Sequence, residues 1–277
     1  MTNFNIKRFG KVLIWSAKMT KKEILTITVA MAFAMFVPSI MHLISSYGFG
    51  ERSTASNLHA ASQFARAIFA IVIMTGGCWI FNNMKTKEQR TTFRMLPATD
   101  LEKFVARALY ATVVWWFMSF VAYCLADGLR VIASLAAGIH VVKSTIPDLV
   151  STLTDTFNPA TFTLNGTRGG EVYATAALAL AWTFWAHSFY VLGGTLFRRR
   201  QFVLTTLAHF VLMLVGTAII VDSVDGVSHD TLRRWGPTWT GIAATVFALW
   251  GVADWILSYK IFRRMQVINN KWVNIKY

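Results

Sequence analysis

The sequence is short of charge, and the charge it has is lopsided. Asp, Glu, Lys and Arg make up only 14% of its 277 residues, against 55% hydrophobic residues. A soluble domain of this length needs far more polar surface, so the composition points to an integral membrane protein. Acidic residues are scarce, 13 against 27 basic, leaving a formal charge of +14. Such an excess would suit nucleic acid, but its placement along the chain argues for a membrane instead, and no nucleic-acid partner is expected. Cysteine is nearly missing: Cys78 and Cys124 fall near opposite ends of successive spans, about 20 Å apart in depth at ~1.5 Å per residue. That is too far for a disulfide, and both read as packing residues. Familiar catalytic motifs are missing too. There is no G-x-x-x-x-G-K-[ST] to bind ATP, no H-E-x-x-H and no G-x-S-x-G. Ser188 beside His187 does not give the geometry of a rhomboid-type protease, and the histidines and cysteines make no zinc pattern. The chain is expected to bind no cofactor and to be no enzyme.

What is present is a series of apolar runs. Six of about 20 residues, the length a hydrocarbon core of roughly 30 Å requires, fall near Ile24–Ser46, Gln63–Asn83, Phe104–Ala126, Tyr173–Phe197, Phe202–Val221 and Trp239–Tyr259. The expected fold is an all-α integral membrane protein, with residues 1–277 forming one transmembrane domain. Ahead of the first run, Phe4 to Met19 has a basic side (Lys7, Arg8, Lys11, Lys18) and an apolar side (Ile6, Phe9, Val12, Leu13, Ala17). That pattern suits a helix lying in the interface against anionic lipid heads. The first 23 residues are too basic, and lack the short apolar core, for a cleavable signal peptide.

Charge sets the orientation. With the N-terminus in the cytosol, segments 1–23, 84–107, 198–201 and 260–277 carry 20 Lys and Arg, and the outer loops carry six: Arg52, Arg130, Lys143, Arg168, Arg233 and Arg234. This split follows the positive-inside rule and puts both termini in the cytosol. Val131–Val142 is too short to cross. Segment 126–170 is therefore expected to be one external loop with two short helices, Val131–Val142 and Pro147–Phe157.

The most informative stretch lies between the second and third runs. Thr86 to Leu96 can form a short helix ending in Phe93, Met95 and Leu96. Pro97 stops it, lacking a backbone N–H and clashing with the preceding turn. Thr99 and Glu102 then have the spacing of a capping box, and Leu101, Phe104, Val105 and Ala108 share one face of the next helix.

Glu88, the run Met95-Leu96-Pro97-Ala98-Thr99, and Leu101-Glu102-Lys103-Phe104 followed by Arg107 resemble the first cytoplasmic loop of ABC-2-type permeases. These are the membrane subunits of ATP-driven exporters. The resemblance covers about 25 residues directly, and the remainder only in the order of its helices. It implies an N-terminal elbow helix over 1–23, a cytosolic coupling helix within 84–103 between spans 2 and 3, and a bacterial inner (cytoplasmic) membrane. It also implies separate P-loop ATPase subunits carrying ATP and magnesium, and a second permease, identical or homologous, completing a dimeric path. On that reading Phe93 and Leu96, next to Pro97, are the apolar plug in the ATPase groove, with Glu88 and Arg94 as polar rim contacts.

Polar residues at bilayer depth are the other candidates, because burial there is costly. Arg66 can snorkel from the outer end of span 2 or line a portal. Asp254 can pair with Arg107 or another cation, or line a wet cavity. His187 and His209 lie mid-span with no third ligand spaced to join them, so core histidines suit them better than metal ligands. Gly76-Gly77 and Gly193-Gly194 suit close helix packing or bending. Two further readings stand beside the transporter. One is an intramembrane enzyme using Asp254, His187 and His209; the other is a membrane scaffold whose outer loop binds a periplasmic partner.

Overall fold

The computed structural model describes residues 4–46, 51–84, 86–138, 143–156, 169–265 and 274. Among them every regular element is helical: α1 (Ile6–Ser46), α2 (Glu51–Thr75), two 3-10 turns (Gly76–Trp79 and Asn82–Met84), α3 (Lys87–Met95), α4 (Asp100–Leu109), a π turn (Tyr110–Val114), α5 (Trp115–Ala136), α6 (Ile146–Thr156), α7 (Gly169–Leu196), α8 (Gln201–Val224) and α9 (His229–Arg264). Six stretches among the described residues are long and apolar enough to cross a bilayer: Ile6–Met41, Leu58–Met84, Asp100–Ala136, Tyr173–Leu196, Gln201–Val224 and Arg234–Arg264. The chain is a multi-pass, all-helical membrane protein.

Two boundaries differ from the sequence reading. The basic N-terminal stretch is not a separate helix, because α1 runs unbroken for 41 residues. Nothing between Met19 and Ile24 breaks it: Lys21, Lys22 and Glu23 are good helix formers, and Thr20 Oγ1 donates back to Ser16 O at 2.8 Å. At ~1.5 Å per residue α1 is about 60 Å long, twice the hydrocarbon thickness. Likewise, Val131–Val142 is not a helix of its own. α5 continues through Asp127 and Arg130 to Ala136, and ends where Gly138 takes a left-handed φ of 72°. Residues 139–142, Phe157 and most of the remaining outer loop lie outside the described residues. The second short helix is present as α6.

The chain divides into two compact units. One comprises Ile14–Ile73 and Thr112–Thr154. Its core gathers Met35, Phe69, Tyr123, Ala126 and Leu149, with Phe69 edge-on to Tyr123 at 5.8 Å. Trp115 Nε1 donates to Val72 O at 2.8 Å. Near the end of α5, buried Asp127 accepts from Arg130 Nη2 (2.8 Å), Ser144 Oγ (2.7 Å) and Thr145 Oγ1 (2.8 Å), tying the start of α6 to α5.

The other unit comprises Met1–Leu13, Met74–Ala111 and Asp155–Tyr277. Here the two glycine pairs meet. A Cβ on Gly77 would lie 2.5 Å from Val191 N, and one on Gly194 would lie 2.7 Å from Cys78 O, so only glycine lets the 3-10 turn and α7 touch backbone to backbone. Gly193 faces Thr205 of α8 as closely. Below this contact an aromatic cluster closes the unit: Phe81 stacks on Phe262 at 4.9 Å, and Phe104 meets Phe262, Trp255 and Tyr259.

Candidate functional site: the Lys87–Leu109 segment and the buried polar residues

The segment between the second and third spans is two helices, each with a complete capping box. At α3, Gln89 N donates to Thr86 Oγ1 (3.3 Å) and Thr86 N donates to Gln89 Oε1 (3.2 Å). At α4, Glu102 N donates to Thr99 Oγ1 (3.2 Å) and Thr99 N donates to Glu102 Oε2 (2.9 Å). Reciprocal capping satisfies backbone donors that a short helix would otherwise leave open. Between them Leu96 is extended, φ −55° and ψ 135°, as a residue preceding proline prefers.

Two side chains anchor this pair of helices. Arg94 pairs with Asp100 Oδ1 at 2.8 Å and donates to the carbonyls of Phe262 (3.2 Å), Arg263 (3.2 Å) and Met265 (3.0 Å), with its guanidinium 5.0 Å above the Phe262 ring. It thereby satisfies carbonyls left open at the end of α9, where a cation is also favoured by the helix dipole. Glu102 is 0% exposed. Beyond its capping role it accepts from Arg8 Nε and Nη2, both at 2.7 Å, and from Asn5 N at 2.7 Å. Lys103 Nζ closes the turn onto Arg94 O at 2.8 Å. Arg107, fully buried, donates Nε to Ile80 O at 2.6 Å and stands 4.3 Å above the Tyr110 ring.

These contacts bear on two of the residues expected to meet a partner. Phe93 is 0% exposed and packs 6.3 Å from Phe262, so it is a core residue and not an apolar plug for a partner. Arg94 is half-buried and engaged inside the chain by the contacts just described. What the α3–α4 turn presents outward is Met95, 77% exposed, with half-buried Leu96 and exposed Pro97. Glu88 is exposed in the first turn of α3. Its own backbone N–H and the Thr86 hydroxyl hold its carboxyl below the ordinary value.

The polar residues within the helices each have their own surroundings. Arg66 donates to Thr152 Oγ1 (2.7 Å) and Asp148 O (3.2 Å), and so holds α6. Asp254 is buried, and Ser188 Oγ donates to its Oδ2 at 3.4 Å; Arg107, one of the partners considered for it, donates to Ile80 O. His209 lies in an aromatic box of Trp185 (5.4 Å, stacked), Phe189 (5.4 Å) and Tyr190 (5.5 Å). His187 lies 6.4 Å from the Trp255 ring. Among the described residues no three His, Cys, Asp or Glu side chains group as metal ligands.

Sequence reasoning missed Glu102 as the grip on the N-terminus, the Asp127 cluster and the first capping box. Thr86-x-x-Gln89 and Asp127-x-x-Arg130 were readable as helical spacings; the Arg8–Glu102 pair had no local signal.

The site therefore belongs to an all-helical, multi-pass membrane protein with a doubly capped helix pair between its second and third spans. No protein-family model, no curated protein and no solved structure matches the chain.

Proposed function

We propose that the chain is the permease subunit of an ABC-2-type exporter. In this reading it lies in a bacterial cytoplasmic membrane with both termini cytosolic, works as a homo- or heterodimer, and is driven by separate P-loop ATPase subunits. The observation that carries the reading is the α3–Pro97–α4 segment: two short helices, each capped at its own start, with an exposed methionine and proline at the turn. Such a unit is stiff enough to receive a push, and Arg94 links it to α9. The 20 to 6 division of basic residues supports a cytosolic placement for the segment.

With Phe93 buried, the ATPase-facing residues are Met95, Leu96, Pro97 and Glu88. The test is co-purification of the tagged chain from its native membrane in mild detergent, with mass spectrometry and an ATPase assay. A stoichiometric P-loop ATPase is expected, lost or reduced at least about tenfold in Met95→Asp with Glu88→Arg, a loss of ~1.4 kcal/mol or more. Both side chains are exposed, so the variant should melt like the parent. A clean chain with no ATPase, or recruitment unchanged in that variant, would refute the reading.

A further inference from the structure

Between α7 and α8 the chain turns through three consecutive arginines, Arg198, Arg199 and Arg200. They line a cavity of about 380 Å³ together with Cys78, Trp79 and Asn82, and among the described residues no acidic side chain lines it. Arg199 and Arg200 are exposed and Arg198 is half-buried, and all three line this space. Arg200 takes a left-handed backbone (φ 52°, ψ 36°), the one non-glycine with positive φ among the described residues. Its side chain does not cap α8.

The cavity's other edge is apolar. Phe202 and Val203 line it and are exposed. From Val203 an exposed stripe continues along one face of α8 through Leu207, Phe210 and Leu214, the i, i+4, i+7, i+11 spacing of a single helical face. A cationic cavity therefore opens at one end onto a continuous apolar track.

We propose that this cavity binds the phosphate of an anionic glycerophospholipid, whose acyl chains lie along the α8 stripe. Guanidinium forks match phosphate oxygens two at a time, and the uncapped N-terminus of α8 adds oriented N–H groups beside them. Basic pockets between membrane helices suit lipid head groups on the same grounds. A soluble phosphate would use the arginines alone; a lipid uses the arginines and, for its acyl chains, the bilayer-facing side of α8 that begins at the cavity. The proposal does not depend on what the protein transports.

The test is native mass spectrometry of the detergent-purified chain titrated with dioleoylphosphatidylglycerol and, separately, dioleoylphosphatidylcholine. The parent should retain the anionic lipid at least about fivefold over the zwitterionic one. Arg198→Gln/Arg199→Gln/Arg200→Gly should abolish that preference; glycine at 200 keeps the left-handed backbone without strain. The control removes the same charge elsewhere, at exposed Lys18, Lys21 and Lys22 of α1, each replaced by Gln. Its preference should stay within about twofold of the parent. Equal loss in both variants would mean general attraction to a basic face and would overturn the site. Displacement of the bound lipid by millimolar inorganic phosphate would overturn the lipid reading in favour of a soluble anion. Should the triple variant not fold, Arg199→Gln alone, at an exposed position, must show a partial loss of preference, and no change there also overturns the proposal.

Discussion

The backbone contact between α7 and the 3-10 turn supports a sharp prediction, because one substitution should act with opposite signs at different glycines. Alanine at a helix-interior glycine ordinarily stabilises by about 0.5–1 kcal/mol, since glycine has more freedom to lose on folding. At Gly194, however, the new methyl would lie 2.7 Å from Cys78 O and 2.8 Å from Cys78 Cα, and both are backbone atoms that cannot swing aside. Reaching even a tight contact of 3.4 Å needs a shift of about 0.7 Å between α7 and the turn. Overpacking of this kind costs about 1–3 kcal/mol, so the net effect is a loss of about 1–2 kcal/mol. At roughly 2–4 °C per kcal/mol, Tm should fall by about 2–8 °C. Gly77→Ala should behave alike, because its methyl would meet Val191 N at 2.5 Å and His187 O at 2.8 Å. Among the described residues, a Cβ on Gly216 or Gly241 would meet no atom of another element within 4 Å, and these two serve as controls. Alanine there should leave Tm unchanged or raise it. The assay is thermal unfolding of the detergent-purified protein, followed by circular dichroism and size-exclusion recovery. A Gly194→Ala variant that melts with or above Gly216→Ala would refute the account of this contact.

Three other perturbations follow from the clusters described. Asp127→Ala leaves Arg130, 2% exposed, with a buried charge and Ser144 and Thr145 without their acceptor, so stability should fall by about 3–5 kcal/mol in the same melt. An unchanged Tm would mean that the Asp127 cluster holds nothing together. Arg94→Ala removes three donations to the end of α9 and the Asp100 pair. A loss of about 1.5–3 kcal/mol is expected, with faster amide hydrogen exchange over 262–265; exchange identical to the parent would contradict the clamp. Glu102→Gln keeps the capping geometry and loses the charge facing Arg8, so limited proteolysis should cut sooner around residues 5–8 while α4 remains helical. Unchanged cleavage there would show that the Arg8 pair does not hold the N-terminal segment.

What the sequence revealed and what it hid divide along physical lines. The spans were legible because a bilayer demands about 20 apolar residues at a stretch, and six such runs survive as helices that meet that criterion. The α3–α4 break was legible because Pro97 and Thr99-x-x-Glu102 act within a few residues of themselves. The direction of Phe93 was not. It shares its helix end with Met95 and Leu96, and which of the three turns inward is decided by Phe262, which is remote in sequence. The acceptors of Arg94 were hidden for a related reason: they are main-chain carbonyls at the end of α9, and a carbonyl leaves no mark in the sequence. The merger of Val131–Ala136 into α5 was hidden because an apolar run too short to span can equally be a separate helix or the continuation of one. The i, i+3 pair of Asp127 and Arg130 extends the helix across the expected boundary.

The same contacts bear on how the segment could act. A basic loop that merely sets orientation needs charge and nothing more, and its arginines would be free in solvent. Here Arg94 and Arg107 are both committed to main-chain carbonyls, and Glu102 grips Arg8 while capping its own helix. α3 is thereby tied to the end of α9 through Arg94, and α4 to the start of α1 through Glu102. A displacement of the α3–α4 turn would be felt at both ends rather than absorbed by a slack loop. Its outward residues, Met95, Pro97 and Glu88, carry none of these ties. The residues that hold the segment and those that could meet a partner are therefore different residues. On the proposed reading, that division leaves Met95, Pro97 and Glu88 to meet the ATPase while Arg94, Glu102 and Arg107 hold the segment.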